Sequence, residues 1–296
     1  MAPTLLAVPN VSEGRDSDRI ESLETAFSSG ATLLDRHSDP DHDRSVFTLA
    51  GRAAPLREAL ISGAEQTVES VDMSAYDGLH PAVGALDVCP VVWLDPADRD
   101  AARIEVLEVA EQIGGLGVPV FLYGEIATRP EHAERAYFRN GGLAELLRRM
   151  EGGELRPDRG PALPHPTAGV TLVTARPPLA AFNVELGGGD LGVARTVAAG
   201  LREAGGGLPG VRAIGLPLSS GRVQVSTNVH DPFVVPLQEV VECVRALAAP
   251  LGAIPLEAEI VGLVPAAALA GYRPDVPIRD FDPARLMIEA RLPAAS

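Results

Sequence analysis

The chain has 296 residues, of which 46% are hydrophobic and only 4% aromatic, so aliphatic side chains must fill most of the core. This length exceeds one typical domain and indicates two units or one large α/β body. The formal net charge of −15 argues against binding to nucleic acid or anionic membranes, both of which need basic surface. All 25 basic residues are arginine, which excludes chemistry that depends on lysine, such as a Schiff base or a P-loop.

The two cysteines, Cys89 and Cys243, lie far apart in the sequence and form no C-x-x-C pair. Both have apolar neighbours, which favours buried free thiols in a reducing compartment. The N-terminus lacks the pattern of a signal peptide, and no stretch approaches the ~18 apolar residues that a membrane span needs. The sequence therefore predicts a soluble, cytoplasmic protein.

The first half of the chain alternates strands and helices. Hydrophobic spacing and turn residues predict strands at 4–8, 31–35, 45–50, 88–94 and 118–123, and helices at 16–29, 55–70 and 97–113. Two short helices follow before Glu151. The order strand, helix, two strands, helix, strand is that of a split βαβ, or ferredoxin-like, unit.

Residues 152–169 are rich in glycine and proline, which is typical of a linker or a loop that lines a ligand. Beyond this loop the pattern predicts strands at 170–175, 180–186, 211–218, 222–228 and 256–264, and helices at 190–204 and 236–249. The predicted fold is α+β, with two ferredoxin-like subdomains and a ligand groove between them. The expected boundaries are 1–168 with the loop, 169–270, and a proline-rich tail at 271–296 to which we assign no function.

The stretch from Asp72 to Pro90 places His80 on a glycine-flanked turn directly ahead of the strand at 88–94. A histidine at a loop apex can meet a ligand, and its ordinary pKa near ~6.5 suits proton transfer at neutral pH. A surface histidine without a function is the alternative interpretation.

Three other sequence patterns give weaker evidence for a functional site. The run from His37 to Arg44 invites a metal interpretation, but Pro40 breaks the strand spacing, so a polar turn or a substrate contact through Arg44 is favoured. The glycine run before Asp190 lacks a nucleotide-binding spacing and predicts a helix cap. Ser219 and Ser220 lie in a plain hairpin turn without the context of a nucleophile.

Eight motifs occur in order along the chain. They are V-P-N-V-S-E-G-R at 8–15, D-P-D-H-D-R-S-V-F-T at 39–48, H-P-A-V-G-A-L-D-V-C-P at 80–90, V-P-V-F-L-Y-G-E at 118–125, P-D-R-G-P at 157–161, A-F-N at 181–183, Q-V-S-T-N at 224–228 and V-G-L-V-P at 261–265. In these motifs the chain resembles the glutamate formimidoyltransferase family, which also forms the N-terminal part of formimidoyltransferase-cyclodeaminase. The resemblance extends from about Leu5 to Leu269.

The resemblance implies transfer of a formimidoyl group from N-formimidoyl-L-glutamate to N5 of tetrahydrofolate, a co-substrate, with His80 as general acid and base and with no metal. It implies folate and a small amino acid as partners, and it suggests a homodimer. The implied substrate contacts are Asp39, Arg44, Glu125 and Asn228. The implied folate contacts are Gly160, Pro161, Ala162, Ala168, Gly169 and Asn183.

The chain also departs from the family pattern. Where the family commonly reads H-x-G-x-H-P-R, Tyr76 and Ala82 replace a histidine and an arginine on either side of His80. Ala168 and Leu216 stand where the family has aromatic residues. Two alternatives therefore stay open: a family member with a different donor or acceptor, such as one that transfers a formyl or other one-carbon group, and a non-catalytic folate-binding protein.

Overall fold

The computed structural model describes residues 3–293. These residues form two compact units that divide between Pro177 and Pro178. Residues 294–296, the end of the predicted tail, lie outside the described range. None of the helices formed by residues 3–293 has the length and apolarity that a membrane crossing requires.

The first unit contains a seven-stranded sheet. In chain order its elements are β1 (Thr4–Ala7), β2 (Asn10–Val11), α1 (Ser17–Phe27), β3 (Thr32–Asp39), β4 (Arg44–Arg52), α2 (Ala53–Ser70), β5 (Leu86–Trp93), α3 (Arg99–Gly115), β6 (Val120–Leu122), α4 (Ala136–Arg139), α5 (Gly142–Glu151) and β7 (Thr171–Arg176). Strands β5, β1, β4 and β3 pair side by side and antiparallel, which is the ferredoxin-like order. Strand β7 pairs in parallel with β5 and with β6 on its other side.

Local signals explain the helices that cover this sheet. The carboxylate of Asp16 caps α1 by accepting from the N–H groups of Asp18 and Arg19. The buried face of α1 ends at Phe27, whose ring lies 5.1 Å from that of Phe47. Gly63 of α2 allows this packing, because a Cβ there would lie only 2.0 Å from the Phe27 ring.

The connection between the strands predicted at 31–35 and 45–50 is shorter in the structure, because β3 continues to Asp39 and β4 begins at Arg44. Pro40 cannot donate to the ladder and ends β3, which leaves a four-residue turn at 40–43. Asp43 takes a left-handed conformation in this turn, with φ of +47°. The turn therefore projects Asp39 and Arg44 from facing strand ends, where they are a paired register position.

The strand predicted at 170–175 as the first of the second half belongs instead to the first unit. As β7 it fills the position beside β5, with Val88 opposite Leu172. A parallel neighbour needs a long crossover, and α3 together with the following loops supplies one. The predicted pattern could not distinguish the two sheets, because a buried strand reads as the same apolar run in either.

The second unit contains β8 (Ala180–Gly187), α6 (Leu191–Leu201), β9 (Val211–Pro217), β10 (Val223–Val229), α7 (Leu237–Ala248) and β11 (Ile254–Ile260). Its four strands follow the order β11-β8-β10-β9, again ferredoxin-like, so the predicted α+β class is confirmed. The predicted cap is present: Asp190 accepts from the Val193 N–H at 2.9 Å. From Gly271 the chain packs onto this unit and buries Val276, Ile278 and Ile288.

Candidate active site

His80 lies in the loop that precedes β5, and only 8% of it is exposed. The expected free apex is therefore a buried position. Two contacts tie the loop to the β3–β4 turn: the Leu79 N–H donates to the Asp41 carbonyl oxygen at 3.2 Å, and the Tyr76 hydroxyl lies 3.1 Å from the His42 carbonyl oxygen. Within the loop, the same hydroxyl donates to the His80 carbonyl oxygen at 2.8 Å. The loop and the turn are thus held as one structure.

His42 and Asp39 form a pair beneath His80. Nδ1 of the fully buried His42 lies 2.9 Å from Oδ2 of Asp39, and Oδ1 of Asp39 accepts from the N–H groups of Asp41 and His42. Burial raises the pKa of Asp39, but the hydrogen bonds and charge of His42 outweigh burial and hold the pKa well below its usual range. The ring of His42 is edge-on to that of His80, with 6.1 Å between ring centroids.

Three arginines surround His80: Arg44 at the start of β4, and Arg135 and Arg139 at the two ends of α4. Arg139 pairs with Asp87 of β5, whose other oxygen accepts from the Val83 N–H at 2.8 Å. Within residues 3–293, Arg44 and Arg135 form no ion pair. Two guanidinium groups therefore remain available to an anionic ligand beside the imidazole.

The pKa values describe a positive and partly dehydrated site. Burial lowers the pKa of Arg44 to about 10, and the like charges of Arg139 and Arg135 add to the lowering, while Asp39 and Asp87 oppose it. Burial also lowers the pKa of Arg135, whose guanidinium lies 5.9 Å from the centroid of the Tyr123 ring. Such a cluster gains from any ligand that brings carboxylates into it.

The same surroundings set the charge of His80. Burial lowers its pKa well below the usual value, and the positive charges of Arg44 and Arg139 contribute further. His80 is therefore neutral at pH 7 and can accept a proton. A neutral imidazole beside guanidinium groups suits general acid and base catalysis on an anionic ligand.

The loop at 152–169, rich in glycine and proline and called the glycine-rich loop below, is joined to the His80 loop by backbone hydrogen bonds. The Met73 N–H donates to the Thr167 carbonyl oxygen at 2.7 Å, and the Ala85 N–H donates to that of Ala168 at 2.9 Å. Gly169 has φ of +66°, and a Cβ there would lie 2.5 Å from the Val83 carbonyl oxygen. The structure thus brings Ala168 and Gly169 beside the loop that carries His80.

The start of the glycine-rich loop is held separately. Asp158 accepts from the Leu122 N–H at 2.8 Å and from the Thr128 hydroxyl at 2.6 Å. Gly160 follows with φ of +79°, and Gly160, Pro161 and Ala162 are all exposed. This exposed part of the loop has a surface that a ligand can reach.

The remaining predicted contacts have partners of their own. Glu125 is exposed and pairs with Arg99 at 2.7 Å. In the second unit, the Asn183 amide donates to Glu259 at 3.2 Å. Asn228 lies opposite Ala181 in the register of β10 and β8, so it shares a face of that sheet with Asn183. The structure describes no contact between these three residues and His80.

Sequence reasoning missed Arg135, Arg139 and Asp87. The arginines lie in a segment assigned only to short helices, and Asp87 immediately precedes the strand predicted at 88–94, whereas in the structure it lies within β5. A signal was present in retrospect, since an aspartate inside an otherwise apolar strand must find a partner. The partner could not be identified, because Arg139 lies 52 residues further along the chain.

The fold is that of an α+β protein with two ferredoxin-like units, and comparison with known proteins places it among the transferases. Two family matches cover most of the chain: the Formiminotransferase domain, N-terminal subdomain, at residues 4–176, and the Formiminotransferase domain at residues 181–272. The chain belongs to the formiminotransferase family, whose general reaction is transfer of a formimidoyl group.

Individual relatives agree with this membership. The chain is 36% identical to the glutamate formimidoyltransferase of Streptococcus pyogenes serotype M1, over 99% of each chain. It is 35% identical to the glutamate formimidoyltransferase of Thermoplasma acidophilum, over 88% of each chain. It is also 35% identical to the formimidoyltransferase-cyclodeaminase of Sus scrofa, over 91% of this chain and 51% of that protein.

Proposed function

We propose that the protein transfers a formimidoyl group from N-formimidoyl-L-glutamate to N5 of tetrahydrofolate, with His80 as general acid and base. The observation that carries the proposal is the surroundings of His80, a buried imidazole with a depressed pKa beside three arginines. The relatives' names supply glutamate as the donor's amino acid. The family resemblance supplies tetrahydrofolate as the co-substrate.

The reaction needs one proton to leave and one to arrive. N5 of tetrahydrofolate attacks the amidine carbon, the C=N electron pair moves to the imino nitrogen, and His80 accepts the N5 proton. The electron pair on the imino nitrogen then re-forms the C=N bond, the bond between carbon and the glutamate nitrogen breaks, and His80 returns the proton to that nitrogen. The products are 5-formimidoyl-tetrahydrofolate and glutamate, and the imidazole ends neutral.

We assign the two carboxylates of the donor to Arg44 and Arg135. Both guanidinium groups form no ion pair among the described residues, whereas Arg139 is already paired with Asp87. A planar guanidinium binds a carboxylate through two parallel hydrogen bonds, which fixes orientation as well as position. Arg139 then contributes positive potential and holds α4 against β5.

Tetrahydrofolate is assigned to the glycine-rich loop from Gly160 to Gly169. This assignment is supported by the hydrogen bonds of Thr167 and Ala168, which join the loop to the residues around His80. Asp39, Glu125, Asn183 and Asn228 remain proposed polar contacts on the family resemblance. Exposed Pro161 and Ala162 offer apolar surface to the pterin ring.

A transfer assay tests the reaction. The purified protein is incubated with N-formimidoyl-L-glutamate and tetrahydrofolate, and acid treatment converts the product to 5,10-methenyl-tetrahydrofolate, which is read by ultraviolet absorbance. We expect product from the wild type and a loss of roughly 10²- to 10⁴-fold in kcat for His80→Gln. Equal rates for the two proteins would refute the role of His80.

Arginine variants test the donor assignment. Arg44→Met and Arg135→Met should each raise the KM for N-formimidoyl-L-glutamate by roughly 10- to 100-fold, because each loses a charged hydrogen-bonding contact. Arg57→Met is the matched control, since Arg57 pairs with Glu105 between two helices. An unchanged KM in both site variants would remove the assignment.

Calorimetry with folinic acid separates the alternatives. Binding together with turnover supports the proposed transferase. Binding without turnover favours a folate-binding protein, and turnover only with another one-carbon donor or acceptor favours altered specificity. The absence of folinic acid binding would count against tetrahydrofolate as acceptor.

A further inference from the structure

Three buried histidine nitrogens near the proposed reaction centre lack a well-aligned hydrogen bond among residues 3–293. They are Nδ1 of His80 and both ring nitrogens of His42, of which Nδ1 of His42 lies 2.9 Å from Oδ2 of Asp39. Buried polar atoms are nearly always satisfied, so each unpaired nitrogen needs an explanation. The two rings are neighbours, with centroids 6.1 Å apart and an interplanar angle of 75°.

The other side of His42 is already oriented. Its Nδ1 lies 2.9 Å from Oδ2 of Asp39. The carboxylate is itself fixed, because its Oδ1 accepts from the backbone N–H groups of Asp41 at 2.8 Å and His42 at 3.0 Å. A carboxylate at this position keeps the His42 proton on Nδ1, which leaves Nε2 as an acceptor directed away from Asp39.

We propose that Asp39, His42 and His80 form a hydrogen-bonded chain in which His42 is a positioning residue for His80. In this chain the Nδ1–H of His80 donates to Nε2 of His42, and the Nδ1–H of His42 donates to Oδ2 of Asp39. This arrangement gives all three of these nitrogens a partner at once. It also fixes the tautomer of His80, so that Nε2 carries the free electron pair and faces the reactants.

The hydrogen-bonded chain also explains how His80 can be protonated in a positively charged site. Arg44, Arg135 and Arg139 face His80 from β4 and α4, and their positive charges oppose its protonation. A proton on His80 therefore needs a compensating negative charge. The carboxylate of Asp39 supplies it through the His42 ring.

This inference rests on the proposed function only for the identity of the reaction. It changes the role of Asp39, since both carboxylate oxygens are used inside the protein. Asp39 then acts on the substrate only through His42 and His80, not by direct contact.

The deciding measurement uses no substrate. The six histidines of the full chain are labelled with ¹⁵N, and ring-nitrogen chemical shifts are recorded from pH 5 to 9, with His42→Gln and His80→Gln used for assignment. We expect neutral His80 and neutral His42 both to be protonated on Nδ1. Protonation of neutral His80 on Nε2 in the wild type would overturn the proposal.

Asp39→Asn provides the coupled test. The Asn Oδ1 can still accept from Asp41 and His42, so the turn is kept, but the amide nitrogen now donates to Nδ1 of His42. The proton of His42 must then move to Nε2, and the proton of His80 must move from Nδ1 to Nε2 so that Nδ1 becomes an acceptor. A change of tautomer in both histidines supports the hydrogen-bonded chain. A change in His42 alone, or a shifted pKa of His80 with no change of tautomer, refutes it.

Activity gives a second readout. Asp39→Asn should lower kcat by roughly 10²- to 10⁴-fold and move the acid limb of the kcat profile to lower pH. Asp43→Asn is the matched control in the same turn, because its Oδ1 keeps the bond from the Gly14 N–H at 2.9 Å and it does not touch either ring. A loss of kcat in Asp43→Asn equal to that in Asp39→Asn would refute the hydrogen-bonded chain. If the wild type transferred no formimidoyl group, the NMR result would still decide it.

Discussion

The hydroxyl of Tyr76 lies 2.8 Å from the carbonyl oxygen of His80 and 3.1 Å from that of His42. One phenol thus ties together the backbones of both histidines of the site. Tyr76 is also one of the positions where the chain departs from the family pattern, so its hydroxyl gives the departure a structural role. Burial raises the pKa of this phenol, which keeps it protonated and able to donate.

Tyr76→Phe should affect catalysis more than it affects overall stability. The lost hydrogen bond costs about 1 kcal/mol of the free energy of unfolding, and freedom of the His80 backbone should lower kcat. Urea unfolding and the transfer assay measure the two effects. Tyr272→Phe is the matched control, because that hydroxyl donates to the Val276 carbonyl oxygen at 2.9 Å in the second unit. Equal losses of kcat in both variants would contradict a specific role for Tyr76.

Asp87→Asn should strongly destabilise the first unit. The Asn side chain can keep the bond from the Val83 N–H, but it leaves Arg139 without its counter-charge, and both side chains are largely buried. Breaking a buried pair by removing one partner costs about 3–5 kcal/mol. Chemical denaturation measures this loss. Glu145→Gln, which removes a partner of exposed Arg148, serves as the control and should have no measurable effect.

His132 should make the protein sensitive to acid. It is fully buried among the rings of Phe121, Tyr137 and Phe138, and neither ring nitrogen has a partner within the described residues. Burial lowers the pKa of His132, and the positive charge of Arg129 adds to this, while Asp158 opposes it.

The direction of this pH dependence follows from comparing His132 in the folded and unfolded protein. Unfolded histidine takes up a proton below pH ~6.5, whereas folded His132 stays neutral to lower pH, so stability is lost as pH falls below ~6.5. One such group contributes at most about 1.4 kcal/mol per pH unit. His132→Phe should therefore show a smaller fall in the free energy of unfolding between pH 7 and pH 5. A fall identical to that of the wild type would contradict this account. His80 shares the same direction, so the variant retains part of the dependence.

Gly14→Ala should displace the β3–β4 turn. A Cβ at Gly14 would lie 2.2 Å from the carbonyl oxygen of Asp39 and 2.5 Å from the backbone nitrogen of Arg44, and neither backbone atom can move alone. We expect a lower melting temperature and a raised KM for the donor. Gly115→Ala is the control, because a Cβ there meets nothing within 4 Å. A Gly14→Ala protein as stable and active as this control would show that the turn adapts.

Local signals in the sequence predicted most of the helices and strands. Asp190 caps its helix as expected, and the ferredoxin-like order was visible twice in the pattern. The motif around His80 indicated the proposed acid and base from its neighbours alone. The strand at 170–175 was predicted but assigned to the wrong sheet, since its apolar run says nothing about which strand it will pair with.

The sequence by itself determined the element order, the helix caps and the family, because these depend on residues close together in the chain. Only the tertiary structure decided which charges surround His80. Arg139 and Asp87 meet across 52 residues, and Tyr76 reaches His42 across 34, so neither contact leaves a local pattern. The burial that makes His80 neutral is likewise a property of packed loops, since desolvation depends on what the fold places around a residue and not on the residue's own neighbours in sequence.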